Sequence, residues 1–148
     1  MSLAEERTEG LMANHKFDLS LRLNHPSDDL RPIASALGTD PEYCWKKGDR
    51  FPVENGRTRS ESYCSVTLMK MAKLSSLDDA IATLLMRLEG LAAEFERLSK
   101  SGGRAAIAIH WIAGGDGGET ISNNLLLQLG RLHLSMDVYI YFDPKLNQ

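Results

Sequence analysis

FDLSLRLN, residues 17–24, alternates strictly: Phe17, Leu19, Leu21 and Leu23 are apolar, and Asp18, Ser20, Arg22 and Asn24 are polar. A period of two over eight residues is the pattern of a half-buried strand, because successive side chains point to opposite faces of a sheet. Three further stretches repeat it. In 62–71, Cys64, Val66 and Leu68 oppose Tyr63, Ser65 and Thr67. In 105–112, Ile107, Ile109 and Trp111 oppose Ala106, Ala108 and His110. In 134–142, Leu134, Met136, Val138, Ile140 and Phe142 alternate with Ser135, Asp137, Tyr139 and Tyr141. A parallel sheet covered by helices on both sides needs continuously apolar strands. These strands each keep a polar face, so the sheet is expected to be open on one side.

Between the strands lie helical patterns. Ser27 or Asp29 is placed to cap a short helix with Pro32 in its first turn and Gly38 as its left-handed stop. Ser76 with Asp79 forms a capping box for a long helix. Its stripe runs Leu77, Ile81, Leu84, Leu85, Leu88, Leu91, Ala92, Phe95 and Leu98, and Gly102-Gly103 ends it. Ser122 caps a third helix with Leu125, Leu126, Leu129 and Leu132 turned inward, and His133 sits near the negative end of its dipole. The expectation is an α+β fold: a four-stranded mixed or antiparallel sheet with three helices on one face. Residues 15–148 form the single domain, and residues 1–14 are a disordered or appended tail outside it. Trp111, read as core, is expected to cost roughly 3–5 kcal/mol when cut to alanine.

The chain has 148 residues and a net charge of −3. That length suffices for a core without a metal or disulfide staple. The weak charge argues against nucleic acid as a partner. No run approaches the ~18 apolar residues of a membrane span, and no leader peptide is visible, so a cytoplasmic setting away from membranes is expected. The two cysteines are expected to be reduced, with Cys64 a buried thiol and Cys44 in a loop beside Trp45. The histidines and cysteines show no metal-ligand spacing, so neither metal nor cofactor is expected.

The run Leu19–Asp49, LSLRLNHPSDDLRPIASALGTDPEYCWKKGD, resembles the opening of a bacterial family known only as a domain of unknown function, number 4279. It has the same order: amphipathic strand, His-Pro break, short helix, Leu-Gly, Pro, Trp and Lys-Gly-Asp. The ending Leu129–Tyr141, LGRLHLSMDVYIY, is similar to that family's closing helix and strand. In the second strand the aromatic, Tyr63, stands nearer the start than the family pattern has it. The resemblance covers most of residues 17–142. It implies a bacterial origin and a compact α+β fold, and it carries over no activity.

Three constellations could carry function. The turn 114–120 follows a strand and precedes a helix, where phosphate loops sit, but it lacks the Lys-Ser/Thr pair and carries Asp116 and Glu119. It reads as a surface turn. The segment 39–60 is long and irregular, and its 43–60 portion is basic, with Trp45, Lys46, Lys47, Arg50, Arg57 and Arg59 beside Tyr43. Aromatics interleaved with cations suit a binding surface; the plainer reading has Trp45 plugging the core edge. The open sheet face offers Arg22, Tyr139 and Tyr141, together with His110 and Asp137. The favoured function is a non-catalytic binding module that takes a protein, a small ligand or a second copy of itself through the loop or the sheet face. The alternative is a small enzyme with His110 as general base, oriented by Asp137.

Overall fold

The computed structural model describes residues 15–53, 56–72 and 76–147. The N-terminal tail expected at 1–14 lies outside the described residues. Strand β1 is His15–His25, β2 is Tyr43–Trp45, β3 is Ser62–Ala72, β4 is Arg104–Ala113 and β5 is Leu134–Phe142. Helix α1 is Arg31–Ser35, α2 is Leu77–Leu88, α3 is Ala92–Lys100 and α4 is Asn123–Arg131. The strands make one mixed sheet in the order β2-β3-β1-β4-β5. All pairings are antiparallel except β4–β5, which is parallel.

The sheet therefore has five strands, not the expected four. The extra strand is β2, three residues inside the stretch expected to be irregular. Three residues are too few to display alternation, and β2 exists because β3 offers it a partner. Its pairing also corrects the expectation of reduced thiols. Cys44 lies directly opposite Cys64, with Cα atoms 4.1 Å apart, and the two are joined as a disulfide. Register across a sheet is invisible in a linear spacing of 20 residues.

β1 behaves as its alternation requires: Phe17, Leu19, Leu21 and Leu23 are buried in the core. They meet Cys64 and Val66 of β3, Ile107 and Ile109 of β4, and a helical layer that contributes Ile81, Leu84, Leu85, Leu88 and Phe95. The expected long helix is broken. Ser76 caps α2 by accepting the Asp79 N–H, as the capping box demands. A 3-10 turn at Glu89–Leu91 then separates α2 from α3. Gly90 falls inside that turn, where a residue without a side chain adds least to helix stability. Leu91 nonetheless stays buried, so the stripe is preserved.

Ser122 accepts the Leu125 N–H at the start of α4, as expected. His133 closes that helix by taking φ 56° and donating its N–H to the Gly130 carbonyl. α1 starts later than expected. Leu30 stands at its N-cap position, and Asp29 instead accepts the Arg31 N–H. Upstream of it, the buried His25 organises the break after β1: its Nδ1 accepts the N–H groups of Ser27 and Asp28, and its Nε2 reaches Ser101 Oγ. Among the described residues, no helix is long and apolar enough to cross a membrane.

Candidate binding trough on the open sheet face

The helix-free face carries a floor of small residues. Ala106 and Ala108 on β4, Ser20 on β1 and Ser65 on β3 are all buried, although they point away from the helical layer. Larger neighbours rise around them. A hollow of about 330 Å³ is lined by Asp18, Ser20, Arg22, Glu42, Tyr43, Tyr63, Ser65, Thr67, Lys70 and His110. A wider cleft of about 1040 Å³ opens beside it, walled by Trp45, Asp49, Arg50, Phe51, Pro52 and Arg59. Glu42, Tyr43 and Tyr63 line both, so the two form one trough. Both volumes suit small-molecule or peptide recognition.

The segment after β2 supplies the outer wall as an arm folded back on itself. Gly48 N–H donates to the Arg59 carbonyl, Arg59 N–H to Asp49 and Phe51 N–H to Arg57, while Arg50 bridges Thr58. Asp49 accepts the Lys46 N–H, and Ser62 Oγ accepts that of Lys47. The guanidinium of Arg59 lies 3.8 Å from the ring centres of both Trp45 and Phe51, a cation held between two aromatic faces. Trp45 packs in turn on Tyr63, centroids 4.9 Å apart. At the root of the arm, Glu42 accepts the Thr67 hydroxyl.

At the inner end, Arg22 donates from Nη1 to Tyr139 Oη at 2.8 Å and faces His110 Nε2 from Nη2 at 3.2 Å. A guanidinium has no acceptor atom. The bond to His110 therefore requires Nε2 to accept, which places the ring proton on Nδ1 and leaves it, with the Tyr139 hydroxyl proton, for other partners. His110 stacks on Tyr139 at 5.1 Å and on Tyr141 at 5.9 Å. Arg22 Nε is buried and has no hydrogen-bond partner among the described residues.

The structure brings some of the expected site residues together and separates others. Trp45, Arg50 and Arg59 wall the wide cleft, and Arg22 and His110 line the hollow. Tyr139 and Tyr141 back His110. Lys46, Lys47 and Arg57 are exposed and are not among the lining residues of either. Asp137 sits opposite Ala108, two residues before His110's partner Tyr139, and gives both carboxylate oxygens to Arg104. That pairing holds its carboxyl below the ordinary carboxylate range.

Glu42, Phe51 and Lys70 escaped the sequence reading. Strict alternation through Tyr63, Ser65 and Thr67 would put Met69 on the open face. A register irregularity between β1 and β3 breaks it, for Leu19 pairs Met69 while Ser20 pairs Thr67. The extra residue turns Lys70 into the hollow and leaves Met69 packed against the core. Phe51 has no periodic signal at all; its place against Arg59 follows from how the arm folds.

No curated protein and no solved structure matches the chain. Residues 15–143 match the family model described as a domain of unknown function, DUF4279, which spans β1 through the end of β5. The chain belongs to the DUF4279 family.

Proposed function

We propose that this protein is a non-catalytic binding module whose trough takes a ligand carrying a carboxylate. Arg22 carries the reading. Its guanidinium is permanently charged, and its hydrogen-bond partners among the described residues, Tyr139 and His110, include no carboxylate. Its Nε is buried with no acceptor among the described residues. Leaving a buried donor unmade costs about 1–3 kcal/mol, and a carboxylate is the group that best repays it through charge-assisted bonds. The aromatic walls at Tyr43, Tyr63 and Trp45 suit an apolar or planar portion of the same ligand. The enzymatic alternative gains no support from this geometry, because Asp137 is committed to Arg104 rather than to orienting His110.

Titration of the isotopically labelled protein with benzoate, and in parallel with its neutral analogue benzamide, tests the reading. Benzoate should shift the backbone resonances of Ser20, Arg22 and Ser65, benzamide should leave them in place, and Arg22→Gln should weaken the benzoate response by about tenfold or more. Equal responses to the two probes, or a response that survives Arg22→Gln in a folded variant, would refute an anion site at Arg22.

A further inference from the structure

The two edges of the sheet are unlike. β2 is three residues long and is tied to β3 by the disulfide and extended by the arm. β5 is nine residues long and carries no such protection among the described residues. Val138, Tyr139, Ile140, Tyr141 and Phe142 are 48, 37, 65, 51 and 68 % exposed, and no charge interrupts them. Soluble proteins usually blunt such an edge with lysine, proline, a bulge or a covering element.

The backbone of this edge is also turned outward in an ordered way. In a parallel ladder, a strand directs the bonding groups of alternate residues to one neighbour. Asp143 N–H donates to the Ala113 carbonyl, which continues the β4–β5 ladder and assigns the odd-numbered residues of β5 to β4. Val138, Ile140 and Phe142 consequently point their N–H and C=O groups away from the sheet.

We propose that β5 pairs antiparallel with β5 of a second copy, making a two-fold dimer with a continuous ten-stranded sheet. The sequence of β5 is self-complementary in this arrangement. A register centred on Val138 sets Met136 against Ile140 and Leu134 against Phe142, all on the helix side. It sets Ser135 against Tyr141 and Asp137 against Tyr139 on the trough side, with no like charges opposed. The exposed side chains amount to roughly 500 Å² per copy, given about 150–250 Å² for a whole aromatic. Edge pairing covers the part of that surface nearest the seam, so about 1,000 Å² over two copies is the upper bound on side-chain area, beside the main-chain bonds of the new ladder. Pairing through this edge is isologous and uses it up in both copies, so assembly stops at two. The two troughs then lie on the same face of one sheet, with Tyr139 and Tyr141 of both copies at the seam.

Sedimentation equilibrium at high micromolar concentration, with hydrogen exchange read residue by residue, tests the dimer. The full chain should weigh twice its 16.4 kDa. Ile140→Lys should give a monomer of unchanged circular dichroism. Met86→Lys, which alters an exposed methionine on the distant α2, should remain a dimer. The amides of Val138, Ile140 and Phe142 should be protected in the wild type, and those of Val138 and Phe142 should exchange about tenfold faster or more in Ile140→Lys. A monomeric wild type would overturn the proposal. So would a dimer that survives Ile140→Lys, or protection at those amides in a monomer.

Discussion

Arg104 opens β4 and Asp137 stands in the first half of β5, and their forked pairing ties the two parallel strands at the rim of the open face. The Arg104 hydrogen bonds are the largest cause of the lowered Asp137 pKa, with burial opposing them and the charge of Arg22 adding to them. A carboxylate whose folded pKa lies below its unfolded one, about 3.9, stabilises the fold above that value. The contribution is lost as pH falls through the folded pKa. Both side chains are partly exposed, so the pair is worth less than about 1 kcal/mol. Arg104→Gln should return the Asp137 carboxyl to the ordinary range in an NMR titration, and the stability gap between variant and wild type should close below about pH 4. A carboxyl that titrates identically in both proteins would show that Arg104 is not its partner in solution. Much at this scale was legible. Ser76, Ser122 and Gly38 perform the capping and turning roles their residue types announce. That Asp137 goes to Arg104 is not legible from strand adjacency, because Arg104 lies outside the 105–112 stretch that alternation marks.

The arm between β2 and β3 is the element that makes a trough out of a flat sheet face. Its attachment rests on the Cys44–Cys64 disulfide, on the Trp45–Tyr63 contact and on Arg59 between two rings. Closing a loop with a sequence separation of 20 residues removes freedom from the unfolded chain worth about 3 kcal/mol. The double change Cys44→Ala with Cys64→Ala should lower the urea unfolding free energy by about that amount. The arm amides, Gly48 and Arg59 among them, should lose exchange protection while those of β1 and β4 keep theirs. An unchanged unfolding midpoint would mean the disulfide contributes nothing to the fold. The longer elements were readable because each buries a face and its periodicity declares it. The arm was not, because nothing in it repeats: it is held by one covalent tie, by backbone bonds to itself and by stacking.

The described residues form one sheet with one helical layer, and their core is concentrated where α2 and α3 lie over β1 and β4. Phe95 is fully buried there, whereas Trp111 is half-buried and shares its ring contacts with His15 and Phe17 at the margin. Phe95→Ala should therefore cost about 3–5 kcal/mol, and Trp111→Ala less, as measured by chemical denaturation. The reverse order would mean that the margin around Trp111 carries more packing than the centre. Alternation along β1, β3, β4 and β5 and the stripes on the helices determined, from the sequence alone, an α+β fold with one face of the sheet left polar. Those patterns are local, and each residue's type and spacing record which side of its own element it must bury. Only the tertiary structure decided the strand order, the fifth strand, the disulfide, the irregularity that brings Lys70 into the hollow, and the meeting of Arg22, His110 and Tyr139. All of these depend on register between segments far apart in the chain, and register is a property of pairs of strands that no single strand encodes.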